Sequence, residues 1–277
     1  MQNISAGQVR SVRKRTQAPP WSLTLAGALW LFLFSHSPSA QDLLIMAPDL
    51  PGASEEGGVG RDAEIVRQVL ELCGYEPEFV VHPFGRHLRT YTEVQRYDAV
   101  MTVPLSAKLG GEATAAYVWH QNGAFYDASR ISKIESVRDL AGLHVVTFRD
   151  GIEMLELDDV APDTASVLEI ADLRVHSKLL LLGRVDAILA DGMIIAEVNR
   201  RYMESADFRN KYGSDVNLRF APIFLPLPYK MVFRDPAMAG EFDQCFDAAR
   251  SGRLIYKINE RYLGPLQKEL RHTYMGL

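Results

Sequence analysis

Between residues 43 and 233, short apolar runs alternate with segments whose apolar positions recur every three or four residues. The run LLIMAP, residues 43–48, stops at Pro48, Asp49 and a glycine-rich stretch, GASEEGGVG, and reads as a buried strand feeding a loop. Beyond Gly60, Ile65, Val66, Val69, Leu70 and Cys73 fall on one helical face, and Gly74 is placed to end that helix. EFVV at 78–81 gives a second strand, HPFGR a turn, and Leu88, Tyr91 and Val94 or Gln95 the apolar line of a second helix; DAVMTV at 98–103 is a third strand. The pattern then recurs. A short helix is predicted from Ser136 to Leu140, a strand from His144 to Phe148, a helix starting near Ile152 and another through Leu179–Leu182. A strand over 185–190 and a helix from Ile194 to Tyr202 follow. LPYKMVF, residues 227–233, returns to strand; Phe242, Cys245, Phe246 and Ala249 line a helix, and a last helix runs through Tyr262 to Gly264-Pro265.

Strands alternating with helices of about a dozen residues predict mainly parallel sheet built from crossover units. QRYDAVMTV, from Gln95, and GRVDAILAD, from Gly183, match as arginine, one residue, Asp-Ala and an apolar strand, each directly after a helix. Turn chemistry accounts for Asp98 and Asp186, whose side chains suit backbone donors. The recurrence predicts two similar α/β lobes, each with its own sheet.

Composition changes this picture mainly at the front of the chain. The 277 residues are 47% hydrophobic and 23% charged, an ordinary globular balance. Residues 1–40 differ: Arg10, Arg13, Lys14 and Arg15 precede the apolar LTLAGALWLFLF at 23–34 and then SHSPSA. Basic region, short apolar core and small residues near Ala40 describe a signal peptide, with an uncleaved amphipathic or signal-anchor segment as the alternative. Its removal takes four positive charges and moves the net charge from −5 to −9, which disfavours nucleic acid as a partner. Export to a periplasm is the expectation, and there Cys73 and Cys245 are either bridged or two small buried hydrophobes. Metal spacing, HExxH, GxSxG and a phosphate-binding glycine loop are all missing, so no cofactor is expected.

GYEPEFVVHPFGRHLR, RYDAVMTVP, IESVRDLAGLHVV, GRVDAILAD and LPYKMVFRDP with SGRLIYKINERYLG together resemble the type 2 periplasmic solute-binding proteins of ABC importers, and among them the family that includes polar amino acid binders. The resemblance spans residues 42 to 264. It implies an α/β fold of two lobes joined by hinge crossovers near Thr102–Ser106 and Leu225–Tyr229: signal peptide 1–40, lobe one over 42–103, lobe two over 104–226, and a return to lobe one over 227–277. It further implies a monomer that closes over a small-molecule ligand and delivers it to a membrane permease. The alternatives are a cleft enzyme of the same fold, dehydratase-like, with Glu153 or Asp191 as general acid, or a soluble sensor subunit.

Candidate contacts follow at the carboxyl ends of the strands, where such clefts lie. By resemblance Asp191 holds a ligand ammonium; by its position it also suits the N-cap of the following helix. Thr102 stands at the first crossover, but no arginine follows it, only Lys108, and FRDGIEM has Ile152 and Glu153 where the family carries hydroxyls. Arg149 is the substitute for that missing carboxylate grip, or a solvated surface arginine. Phe84 and Arg86 in HPFGR offer an aromatic wall and a fixed charge, or a core ring and a solvated one. Asp49 after the first strand and Trp119, expected in lobe two, complete the set.

Overall fold

A computed structural model describes residues 41–206, 208–209, 216–271 and 273–275; the expected signal peptide lies outside them. Two five-stranded sheets carry the chain, and each is covered on both faces. The first has the order β2-β1-β3-β10-β4, with β1 Gln41–Asp49, β2 Tyr75–Pro83, β3 Ala99–Pro104, β4 Glu112–His120 and β10 Leu227–Phe233. Strands β2, β1 and β3 are parallel, whereas β10 runs antiparallel between β3 and β4. The second has the order β7-β6-β8-β5-β9, with β5 Asn122–Asp127, β6 His144–Thr147, β7 Ser166–Glu169, β8 Ala187–Asp191 and β9 Leu218–Ala221.

The apolar pattern explains the burial. Helix α1, Arg61–Leu72, turns Ala63, Ile65, Val66, Val69 and Leu70 onto one face of β1, whose Leu43, Ile45 and Ala47 meet them; Met46 faces Tyr91 and Val100 on the other side. Such two-sided burial is why these strands read as continuous apolar runs. Helix α2, Arg86–Glu93, covers that second face. In lobe two, α3 is a single turn, Gly151–Met154, followed by α4, Leu173–Leu181, and α5, Gly192–Glu204. Helices α6, Pro236–Ser251, and α7, Leu254–Leu263, return to the first core.

The two matched aspartates hold equivalent positions. Asp98 accepts from Leu44 N at 2.7 Å and Asp186 from His144 N at 2.9 Å, while each aspartate's own N–H bonds back to that residue's carbonyl. The partner in each case is the neighbouring strand, so the shared motif clips two strands together.

The crossings differ from expectation. Residues 112–120 stay in the first sheet as β4, so the first passage lies at Gln121, later than Thr102–Ser106. AAYVWHQNGAFY is apolar on both sides of a polar HQN, and only the strand pairing decides which sheet each half joins. The return passes through residues 222–226. A third passage was not anticipated: after α7, Leu266, Leu270 of the short α8 (Gln267–Leu270) and Tyr274 pack into the core of lobe two. Among the described residues no helix is long and apolar enough to cross a membrane.

Cys73, at the C-cap of α1, is bonded to Cys245 in α6 across a Cα separation of 5.9 Å. The bridge closes a loop with a sequence separation of 172, for which the chain-entropy relation gives stabilisation of about 5 kcal/mol. Replacing both cysteines by serine is expected to lower the unfolding free energy by about 3–5 kcal/mol, read from the urea midpoint under oxidising conditions.

Candidate functional site

The parallel strands of both sheets end toward one another, and the cleft between them holds about 480 Å³ of empty space, its open mouth included. Lobe one lines it with Leu50 and Phe84, lobe two with Phe148, Leu173 and Ile194. Phe84 and Phe148 face one another edge to face, ring centres 6.3 Å apart. The polar groups are His120, Asn122, Arg149 and Asp191, with Tyr229 beside His120 at a ring separation of 4.6 Å.

Asp191 ends β8 and is 3% exposed. Its Oδ1 accepts from Ile194 N at 3.0 Å, which makes it the N-cap of α5, and its Oδ2 accepts from the Tyr274 hydroxyl at 2.8 Å. Gly192 allows this approach: a Cβ there would stand 2.8 Å from both the Phe220 and Tyr274 rings. Behind the tyrosine, Arg61 Nη1 donates to its oxygen at 3.3 Å, Arg61 Nε donates to Asp62 Oδ1 at 2.7 Å, and His120 Nε2 lies 2.7 Å from Asp62 Oδ2. A buried polar chain therefore runs from the cleft wall of lobe one, His120, to the acid of lobe two, Asp191.

Its electrostatics follow from burial and pairing. Burial alone would lower the Arg61 guanidinium, but Asp62, Tyr274 and Asp191 outweigh it and raise the value. Burial likewise pushes the Asp62 carboxyl up, yet Arg61 and His120 prevail and hold it below the usual carboxylate range. The Tyr274 and Tyr229 hydroxyls are pushed up first by burial and then by Asp191, so both are neutral donors at physiological pH.

Three of the expected residues, Phe84, Arg149 and Asp191, line this cleft. Arg149 is exposed and has no ion pair among the described residues. Asp49 is instead held by Arg174, whose two terminal nitrogens donate to its oxygens at 2.8 and 3.0 Å. This pair bridges the lobes beside Glu55, which takes two bonds from Arg201 at 2.8 and 2.7 Å. Thr102 is fully buried, with φ 55°, and its hydroxyl lies 3.2 Å from that of Tyr117 in lobe one. Arg86 is exposed at the start of α2, outside the cleft lining. Trp119 belongs to β4 of lobe one, opposite Pro228 and 39% exposed; alternation along the strand gives the cleft position to His120 next to it. His120, Asn122, Tyr229 and Tyr274 were not anticipated. For Asn122 the local signal is only the polar HQN between two apolar runs, and its register to Asp191 is non-local. Among the described residues no cluster of three His, Cys, Asp or Glu side chains could hold a metal ion.

The Asp62 carboxyl sits lower folded than unfolded, so its contribution to stability is present above about pH 4 and is lost as pH falls through the folded value. Asp62→Asn leaves Arg61 buried without its counter-charge and is expected to cost about 3–5 kcal/mol at neutral pH, with a flatter acid limb in the pH profile of urea denaturation.

No protein-family model matches the sequence, and no curated protein matches it either. Solved structures do match in fold. A histidine kinase sensor domain with similarity to periplasmic binding proteins gives a TM-score of 0.64 at 18% identity, over 82% of this chain and 97% of that one. An ancestral arginine-binding protein bound to arginine gives 0.63 at 18% identity, over 81% and 99%. An amino acid ABC transporter substrate-binding protein from Streptococcus pneumoniae, bound to L-arginine, gives 0.62 at 16%, over 81% and 95%. The chain thus has the two-lobed periplasmic binding protein fold.

Proposed function

We propose that the protein is an exported, periplasmic solute-binding protein that captures a small, amine-bearing, amino acid-like ligand in the interlobe cleft, acting as a monomer that passes it to the permease of an ABC importer. The observation that carries this reading is Asp191. It is a buried acid on the cleft wall, its own helix cap and Tyr274 hold both oxygens in place, and the Arg61 guanidinium is linked to it through that tyrosine. A fixed carboxylate among apolar walls favours a cation that brings its own N–H donors. Arg149, free at the same cleft, stands ready for an anionic group of the ligand. The fold supports a hinged two-lobe mechanism, and the resemblance of the sequence motifs points to the same class.

A catalytic reading has one feature in its favour: His120 lines the cleft with Asp62 behind its Nε2, the arrangement that orients an imidazole for proton transfer. The binding reading expects stoichiometric complex formation and unchanged ligand; turnover of a cyclohexadienyl acid by the purified protein would favour the enzyme.

Two substitutions separate the roles of Asp191. Asp191→Asn keeps one acceptor, for Ile194 N, and turns its amide NH2 to the Tyr274 oxygen, which then accepts; the cap is retained, so thermal stability is expected to fall less than in Asp191→Ala while affinity for an amine ligand falls by about 3–5 kcal/mol. Asp191→Ala removes the cap as well and is expected to lose about a further 1 kcal/mol of folding stability. Equal affinity of Asp191→Asn and the parent in calorimetric titration would remove Asp191 from the ligand site.

A further inference from the structure

Asn122 has not yet been given a role. It is the first residue of β5 and the cross-strand partner of Asp191, so the two side chains project from the same face of the second sheet at its cleft edge. The residue is 97% buried, since its exposure is 3%, and it lines the cleft; its side-chain amide has no hydrogen-bond partner among the described residues. Its neighbours are all engaged: Gln121 donates to the Phe224 and Asn122 carbonyls, and Asp191 is bonded through both oxygens. A buried amide of this kind is normally paired, so an unpaired one facing a cleft is a group placed for a ligand.

The remainder of the cleft limits what that ligand carries. Leu50, Phe84, Phe148, Leu173 and Ile194 provide walls with no side-chain donor or acceptor. A guanidinium, a second ammonium, a carboxamide or a side-chain carboxylate set between them would lose its water without gaining a partner. The charges agree: Arg61 is matched by Asp62, which leaves Asp191 as the one acid at the cleft edge without a direct cation among the described residues.

Resting on the solute-binding reading, we propose that the cleft selects one primary ammonium carried on an apolar body, aromatic or branched aliphatic, and that Asn122 reads the ammonium jointly with Asp191. The ammonium donates to an Asp191 oxygen and to Asn122 Oδ1, and the body lies against the Phe84 and Phe148 rings. A hydrophobic amino acid and an arylalkylamine share this chemistry and differ only in a carboxylate for Arg149.

Calorimetric titration of the purified protein at pH 7 with L-phenylalanine, phenethylamine, L-arginine, putrescine, L-glutamate and 3-phenylpropionate tests the proposal. Phenylalanine or phenethylamine is expected to bind at least tenfold more tightly than the other four. Phenylalanine ahead of phenethylamine identifies an amino acid whose carboxylate meets Arg149, and Arg149→Ala then erases the difference; equal binding identifies the amine alone. Preference for arginine, putrescine or glutamate overturns the apolar class and leaves the solute-binding reading standing, whereas binding of none of the six overturns both. Asn122→Leu, close in size, is expected to weaken the preferred probe at least tenfold with the melting temperature retained; Asn122→Ala gives the same reading if the leucine variant does not fold. Undiminished affinity in a folded variant overturns the role of Asn122.

Discussion

A guanidinium buried at the start of a helix sets the terms for the cleft. Arg61 is 3% exposed, and a charge so placed is tolerated only with a counter-charge and hydrogen bonds at hand. The counter-charge is the next residue, Asp62, itself wholly buried, whose second oxygen holds His120 at the end of β4. Arg61 Nη1 goes to the Tyr274 hydroxyl, and from there to Asp191, while its Nη2 is buried without a hydrogen-bond partner among the described residues. Helix α1, the last strand of the first sheet, the end of the chain and the cap of α5 thus depend on one ion pair. Asp191 is consequently held from two directions before any ligand arrives, and such preorganisation reduces the ordering cost of binding.

How far the sequence could be read depended on whether a feature was local. The strand and helix alternation gave both lobes, because period-2 and period-3.6 patterns record burial within one element. Asp98 and Asp186 were recognisable as turn residues from their shared setting, and Asp191 as a helix cap from its position at a strand end. The passage between lobes was misplaced because the pairings of β4 and β5 are non-local, and nothing within EATAAYVWHQNGAFYD reveals that Glu112–His120 pairs with β10 while Asn122–Asp127 pairs with β8 and β9. Once that register is known, parity moves the cleft role from Trp119 to His120. His120, Asn122 and Tyr274 owe their positions to partners 58, 69 and 83 residues away in sequence, Asp62 for the first and Asp191 for the other two. Asp49 was read as a ligand contact on its strand-end position alone, where its partner Arg174 lies 125 residues off.

The same non-local contacts govern how the lobes hold together. Asp49 and Glu55 of lobe one meet Arg174 and Arg201 of lobe two, at side chains that are partly exposed, so each pair is worth at most about 1 kcal/mol and is screened by salt. Leu50 and Ala53 contribute more firmly, since both sit in the second core although the loop that carries them belongs to the first sheet. On the proposed solute-binding reading, a ligand would add to an arrangement already favoured by packing, and its effect on closure would be limited to its differential affinity for the two states.

The third passage between the lobes identifies which contact opening would break. Leu266, Leu270 and Tyr274 are packed in the second core, while Ile258 of α7 is packed in the first. The chain thus leaves the first core for the second just before Gly264-Pro265, and Tyr274 packs on the same side as Asp191. In the chain from His120 to Asp191, the link that spans this boundary is Arg61 to Tyr274, and at 3.3 Å it is also the longest. Its loss leaves Asp191 with its cap and its tyrosine but without the connection to the Arg61 guanidinium. On the proposed solute-binding reading, separation of the lobes would leave this acid less compensated and so more attractive to a cation.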